Sequence, residues 1–235
     1  MSFTFKDGIS LSIFGSSHGP YVGFTLSGIP AGEEISEDEI NKWMKRRAPG
    51  QSILTTQRKE DDHAEIISGI KQGYSDGGAV TILIKNTDII SKNYEELRDK
   101  PRPGHGDISL YYKYGEFRNF EGGGFLSGRM TTCLTGAGAI IINILKKKGI
   151  EIVSYIDRMG NIALDRDITP EDSEVYSRDS RIPDTESDRK ASEFIKNLLH
   201  EGNSTGACIR TIVKDCPPGI GEPFFDSFES VLSHL

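Results

Sequence analysis

The sequence predicts an α+β fold, and three observations predict it. Short apolar runs, alternating or rich in β-branched residues, recur between glycine and proline turns. Helical periodicities with their own start and stop residues separate those runs. A strand and turn near the start, Gly23 to Ser27 followed by Ile29-Pro30-Ala31-Gly32 and a helix, is echoed near the end by Gly206 to Lys214 followed by Cys216-Pro217-Pro218-Gly219 and a helix. The chain has 235 residues, 36% hydrophobic and 27% charged, enough for one large domain or two small ones. A net charge of −7 argues against general nucleic-acid binding, so any phosphate site must be a local cluster of arginine. Met1 to Lys6 lacks the charged start and apolar middle of a leader, and no apolar run reads as long enough for a membrane span, so the expected location is the cytoplasm. Cys133, Cys208 and Cys216 match no zinc or disulfide spacing and read as buried thiols.

Leu11 to Phe14 reads as a strand feeding a tight polar turn, Gly15 to Pro20, that contains Ser17 and His18. A histidine among small residues suits proton transfer, because substrate can come close to it; the plainer alternative is a solvated loop histidine. Ser36 reads as the N-cap of a helix, with Glu39 completing a capping box and Ile40, Trp43 and Met44 on one face. Lys45, Arg46 and Arg47 either complement the helix C-terminus or form a phosphate clamp, and both readings stand. Arg58 to His63 is a mixed charge run, read without chemistry as a solvated helix start ahead of Ala64 to Ile70. Ala79 to Ile84 reads as a buried strand after the Gly77-Gly78 turn. Lys100 to Asp107 is a loop that two prolines rigidify and two glycines open, around Arg102 and His105.

The stretch from Arg118 to Ala139 organises the chain. Gly122, Gly123 and Gly124 lead through a polar turn into a long apolar helix, the layout of an anion or cofactor cradle or, more plainly, of a flexible loop. Arg129, a cation at that helix's N-terminus, opposes the macrodipole and suggests an anion between them. Cys133 to Leu145 reads as a core helix buried on nearly every side, closed by Lys146 to Gly149. Beyond it come a strand, Ile150 to Ile156, an exposed loop with a brief helix, Arg166 to Arg189, and an amphipathic helix with Phe194, Ile195, Leu198 and Leu199 inward. The last helix spaces Phe225, Phe228, Val231, Leu232 and Leu235 helically and has no cap. With the second copy of the echo unfinished, the chain is expected to be a fragment.

The blocks FGSSHG, KRRAPGQS, TTQRKEDDHAEIISG, NTDIISKNYEELRDKPRPGHGD, KYGEFRNFEGGGFLSGRMT and CPPGIGEPFFD occur in this order, and together they closely resemble the chorismate synthase family across essentially the whole chain. The resemblance implies one domain over residues 1–235 whose C-terminal part is missing. It implies a β-α-β layered sandwich with an incomplete second repeat, and a homotetramer at the family's full length. The implied reaction is a lyase step of the shikimate pathway, the anti-1,4-elimination of phosphate from 5-enolpyruvylshikimate 3-phosphate to give chorismate. The implied cofactor is reduced FMN, with NADPH as a candidate reductant. His18 and His105 match the proton-transfer histidines. Ser17, Arg46, Arg102 and Arg129 match residues around the anionic substrate, while Arg47, Phe125, Leu126 and Ser127 fall on the flavin side. No metal is implied.

Four positions depart from the family pattern. Ser16 stands for a glutamate, Ala48 for the third arginine of the basic triplet, Phe125 for an arginine or, in some members, a histidine, and Ile53 where many members have another arginine. The missing part is implied to supply further flavin contacts and the aspartate assigned to the ring proton, so these 235 residues alone are expected not to catalyse the elimination. The alternative is an inactive fragment that keeps only an arginine-lined anion pocket. Two geometric expectations follow: Arg46, Arg102 and Arg129 converge on one anion site, and His18 and His105 line one pocket.

Overall fold

The computed structural model describes residues 3–50, 52, 54, 61–87, 91–164 and 168–234. Ile53, Arg58 to Glu60, Arg166 and Leu235 lie outside them. The elements in order are β1 (Phe3–Asp7), β2 (Ile9–Gly15), β3 (Tyr21–Ser27), α1 (Glu37–Arg47), β4 (Ala64–Ser68), β5 (Ile70–Lys71), β6 (Tyr74–Ser75), β7 (Val80–Lys85), α2 (Asp107–Tyr114), α3 (Thr131–Lys147), β8 (Glu151–Met159), β9 (Ile162–Ala163), α4 (Asp172–Tyr176), α5 (Thr185–His200), β10 (Ala207–Lys214) and α6 (Phe228–His234). Short 3-10 turns at Ser91–Arg98, Gly115–Phe117, Gly124–Leu126 and Gly128–Met130 join them. The chain divides into two compact units, Met1–Gly50 with Gln57–Ile141, and Gln51–Thr56 with Ile142–Leu235.

Among the described residues the first unit holds a five-stranded antiparallel sheet in the order β1-β2-β3-β7-β4. Its centre follows from the two-residue period of a strand, which sends alternate side chains to one face. Val22, Phe24 and Leu26 of β3 stand opposite Ile84, Ile82 and Val80 of β7, and all six are buried. α1 starts at Ser36, whose Oγ accepts from Glu39 N at 3.4 Å, while the Glu39 carboxylate pairs with Lys42. This helix covers the edge strand β4, where an open ladder would otherwise face solvent. Asn41 exchanges bonds with Ala64 at 2.8 and 3.2 Å, and Glu37 accepts from Ile66 N at 3.1 Å. α3 meets β3 and α1 at Gly136, where a Cβ would lie 2.7 Å from the Phe24 ring and 3.6 Å from Met44 Sδ.

In the second unit the described strands form a sheet in the order β10-β8-β9. Val153 and Tyr155 of β8 pack with Val175 of α4, and Met159 packs with Ile182 and with Ala191 of α5. The Tyr155 hydroxyl donates to Ile168 O at 2.9 Å, which satisfies the polar tip of a buried ring.

Several sequence expectations need correction. Ala64 to Ile70 is strand rather than helix, because Ile66 and its neighbours pair with β7, whose Val80, Ile82 and Ile84 are buried, instead of continuing the charge run. α3 is not buried all round: Cys133, Gly136, Ala137 and Ile140 form the covered stripe, while Leu134 is 51% exposed. Gly128–Lys147 is nevertheless long and apolar enough to cross a membrane by length and composition alone, which the sequence reading missed. In this fold its first half is a core helix of the first unit. The Cys133 thiol donates to Gly23 O at 3.3 Å, and burial pushes that thiol's pKa up to about 12. Cys208 and Cys216 are exposed, not buried. The stretch leading to Arg189 contains the brief helix expected, but Val175 and Ile182 within it are buried. Leu199 and Phe225 point to solvent, and Phe225 precedes the last helix rather than forming part of it.

Gly136→Ala is expected to destabilise the chain although alanine is the better helix former by about 1 kcal/mol, because overpacking against the immobile Phe24 ring costs about 1–3 kcal/mol. Gly138→Ala, where a Cβ meets nothing within 4 Å, is expected to raise the urea midpoint instead. Urea unfolding of the two variants side by side checks both signs.

Candidate active site

The site in the first unit is assembled from stretches that lie far apart in the chain. The turn after β2 places Ser17 and His18. Ser17 is buried, its N–H donates to Gly124 O at 3.1 Å, and its Oγ lies 3.0 Å from His18 Nδ1. The half-buried His18 ring packs edge-on to Tyr94, with centroids 4.8 Å apart, and lies directly against Gly122. The glycine block therefore does not hold open backbone towards a ligand. The space of the absent Gly122 side chain is taken by His18, and that of Gly124 by Asn119, 2.8 Å from where a Cβ would stand. The Gly124 N–H is itself bonded to Glu121 O at 2.8 Å.

Arg129 sits in the 3-10 turn before α3, as expected, and the anion that its position demands is supplied by the protein. Asp62, buried with φ +48°, bonds the Arg129 guanidinium through Oδ1 and accepts from Arg47 Nη1 through Oδ2 at 2.8 Å. Arg129 also donates from Nε to Asn86 Oδ1 at 2.9 Å and from Nη2 to Lys85 O at 3.4 Å. Arg47 reaches Gly128 O at 3.2 Å and Thr131 Oγ1 at 3.3 Å. The Arg129 side chain is 3% exposed and that of Arg47 26% exposed, so Arg47 is the member of the pair that a solute can reach.

The second histidine loop is closed by a fork. Arg102 donates from Nε and Nη2 to the two Asp107 oxygens at 2.6 and 3.2 Å, and its backbone N–H adds a third bond at 3.2 Å. That bond from Arg102 holds the Asp107 carboxyl below the usual carboxylate range and raises Arg102 above the ordinary guanidinium value. Asp107 is also the first residue of α2, where a negative charge complements the helix dipole. His105 is exposed at φ +59°, and the neighbouring Gly106 approaches the Leu126 side chain, 2.6 Å from where a Cβ would stand. Phe125 is half-buried and edge-on to Tyr114, and Leu126 is 49% exposed.

The structure thus brings Ser17, His18 and the glycine block together, joins Arg47 to Arg129, and sets the residue after His105 against Leu126. Arg46 lies with its guanidinium 4.4 Å over the Trp43 ring, and Arg102 pairs with Asp107. Sequence reasoning missed Asp62, Asn86 and Arg118. Asp62 was lost in its charge run, and Asn86 looks like ordinary turn punctuation after a strand. Arg118 is buried beneath Tyr111 and Phe120 and donates to Gly115 O, Leu97 O and Arg98 O, pinning the Ser91–Arg98 turn to the glycine block.

This mixed α/β architecture, with antiparallel sheets and a histidine and arginine centre at the glycine turn, defines an α+β fold of chorismate synthase type. It superposes on a crystal structure of chorismate synthase with a TM-score of 0.70 at 26% identity, over 91% of this chain and 60% of that one. The chorismate synthase family model matches residues 9–235. The chain is 39% identical to chorismate synthase of Korarchaeum cryptofilum over 94% of its length, and 36% identical to that of Agathobacter rectalis over 95%. The chain belongs to the chorismate synthase family. It spans 62% and 60% of those two relatives.

Asp62→Asn is expected to cost about 3–5 kcal/mol, because the buried Arg129 guanidinium then loses its carboxylate partner. Asp61→Asn, at an exposed position, is expected to stay within about 0.5 kcal/mol of the parent in the same urea titration. For Asp107, a carboxyl depressed on folding contributes stability above its unfolded pKa of about 3.9 that is lost as pH falls through the folded value. The stability gap between the parent and Asp107→Asn is therefore expected to be full near neutrality and to close below about pH 4. A gap that persists at low pH would show that Asp107 acts through packing alone.

Proposed function

We propose that this chain belongs to a chorismate synthase, a lyase that eliminates phosphate from 5-enolpyruvylshikimate 3-phosphate to give chorismate, and that it contributes the substrate-binding arginines and both proton-transfer histidines. The observation that carries this reading is that the two histidine loops abut one glycine turn, His18 against Gly122 and Gly106 against Leu126. Partly exposed Arg46, Arg47 and Arg102 are the guanidiniums offered to the phosphate. Their forks match phosphate oxygens in pairs and stabilise the charge that grows as the C–O bond breaks. Ser17 fixes the His18 ring at Nδ1, and His105 is held on a loop closed by the Arg102–Asp107 fork. Each histidine then holds or moves a proton, one at the departing phosphate and one at the cofactor.

The residues present fit a reduced flavin. Half-buried Phe125, edge-on to Tyr114 of α2, and exposed Leu126 beside Gly106 supply the apolar and aromatic contacts that suit a flat ring. Buried Asn119 Oδ1, beside Gly124, has no hydrogen-bond partner among the described residues and is an acceptor for a ring N–H. Phe125, Leu126 and Ser127 would hold the group, with Arg47 on the phosphate side. When bound, it supplies electron density that eases C–O cleavage. NADPH as reductant, a cytoplasmic location and a homotetramer at full family length complete the reading.

Calorimetry tests it. The chain is expected to bind 5-enolpyruvylshikimate 3-phosphate in competition with inorganic phosphate, and Arg47→Ala is expected to weaken binding roughly tenfold or more, the worth of a charged hydrogen bond. No binding, or binding indifferent to Arg47 and Arg102, would overturn the assignment. In a chain of the family's full length, assayed for phosphate release without oxygen and with reduced FMN, His105→Ala is expected to lower kcat by about 10²–10⁴ with little change in KM.

A further inference from the structure

We propose that Asn86 is a positioning residue for His18: a buried amide that transmits the fixed geometry of Arg129 to the backbone of the histidine loop. The inference deepens the proposed function and rests on its assignment of His18. Asn86 stands immediately after β7 and is 4% exposed. Its Oδ1 accepts from Arg129 Nε at 2.9 Å, and its Nδ2 donates to Ser16 O at 3.0 Å and to Gly19 O at 2.7 Å. Its backbone N–H adds a bond to Pro20 O at 3.0 Å. The two carbonyls that Nδ2 binds are those on either side of Ser17 and His18. The amide orientation is settled by these partners: flipping it would set the NH2 against the guanidinium and the oxygen against two carbonyls.

Two features distinguish this from a staple that merely holds a turn. The anchor on the far side is rigid, since Arg129 is itself held by Asp62 and Lys85 O. The loop on the near side carries a ring whose Nδ1 lies within hydrogen-bond distance of Ser17 Oγ, while Ser17 N–H is bonded to Gly124 O. Locking Ser16 O and Gly19 O therefore holds Ser17 Oγ and His18 Nδ1 at hydrogen-bond distance, and that contact biases which His18 nitrogen carries the proton. Proton transfer at His18 depends on that tautomer, so Asn86 acts on the chemistry without reaching the substrate.

Asn86→Asp separates the two halves of the contact. A carboxylate still accepts from Arg129 Nε, but it has no N–H groups for Ser16 O and Gly19 O and repels both. Imidazole nitrogen NMR on the 235-residue chain, with His18→Gln to assign its signals, reads the tautomer ratio directly. The parent is expected to show His18 in one dominant tautomer, and Asn86→Asp is expected to move the ratio roughly fivefold towards that of exposed His200, the effect of losing a neutral hydrogen bond. Asn86→Ser, whose short hydroxyl keeps a donor, is expected to fall between them and serves where the aspartate variant does not fold. A folded Asn86→Asp or Asn86→Ser protein with an unchanged His18 tautomer ratio would overturn the proposal. The readout does not involve turnover. A parent that fails to bind 5-enolpyruvylshikimate 3-phosphate counts against the proposed function, while the tautomer result still decides the role of Asn86.

Discussion

One carboxylate holds the site together. Asp62 accepts from two arginines that lie far from it and from each other in the chain, one at the end of α1 and one in the turn before α3, and it does so with no exposed surface. Burying three charges is costly, and the attraction between them offsets the desolvation only when every donor and acceptor is satisfied. Here both Asp62 oxygens are used, and Arg129 places Nε, Nη1 and Nη2 on protein acceptors. The gain is a fixed direction rather than a large stabilisation. One negative and two positive charges leave a net positive charge at the place where Arg47 is exposed. An acidic chain thus keeps a local preference for anions.

The strands and helices around this carboxylate were largely legible, because each is a local pattern. The alternation in Val22, Phe24 and Leu26, the Ser36 cap and the β-branched run of β7 are read within a few residues. The glycine block and the two histidine loops were legible for the same reason. What the sequence hid are the partners of charges. Asp62 sits in a run of five charged residues and a histidine where nothing local marks one as buried, and its meaning comes from Arg47 and Arg129, 15 and 67 residues away. The error at Ala64 to Ile70 has the same origin: a charge run was read as a helix start, when its one important residue points inward beside an edge strand.

The two histidines, alike in sequence, are placed differently. His18 is half-buried, ring-packed by Tyr94 and Gly122, and bonded at Nδ1, so its orientation is set before any ligand arrives. His105 is exposed at a left-handed φ, and what constrains it is the Arg102–Asp107 fork three residues before and two after. A group with its own packing loses little freedom on binding, whereas one held only through its loop keeps rotamer freedom that a bound ligand must remove. The two loops therefore differ in how much a ligand would still have to order.

The glycines close the argument about why these loops can meet at all. At three contacts around the glycine turn the approach is closer than a methyl group allows: His18 at Gly122, Asn119 at Gly124 and Leu126 at Gly106. A glycine-rich block next to a helix is commonly read as backbone bared for a phosphate, because both needs remove the same atom. The two readings differ in what fills the space, and here the space is filled by the protein's own side chains, His18 and Asn119. Arg129 spends its guanidinium on internal acceptors, whereas Arg47, held by one oxygen of Asp62, by Gly128 O and by Thr131 Oγ1 and still partly exposed, carries positive charge to the surface of the first unit.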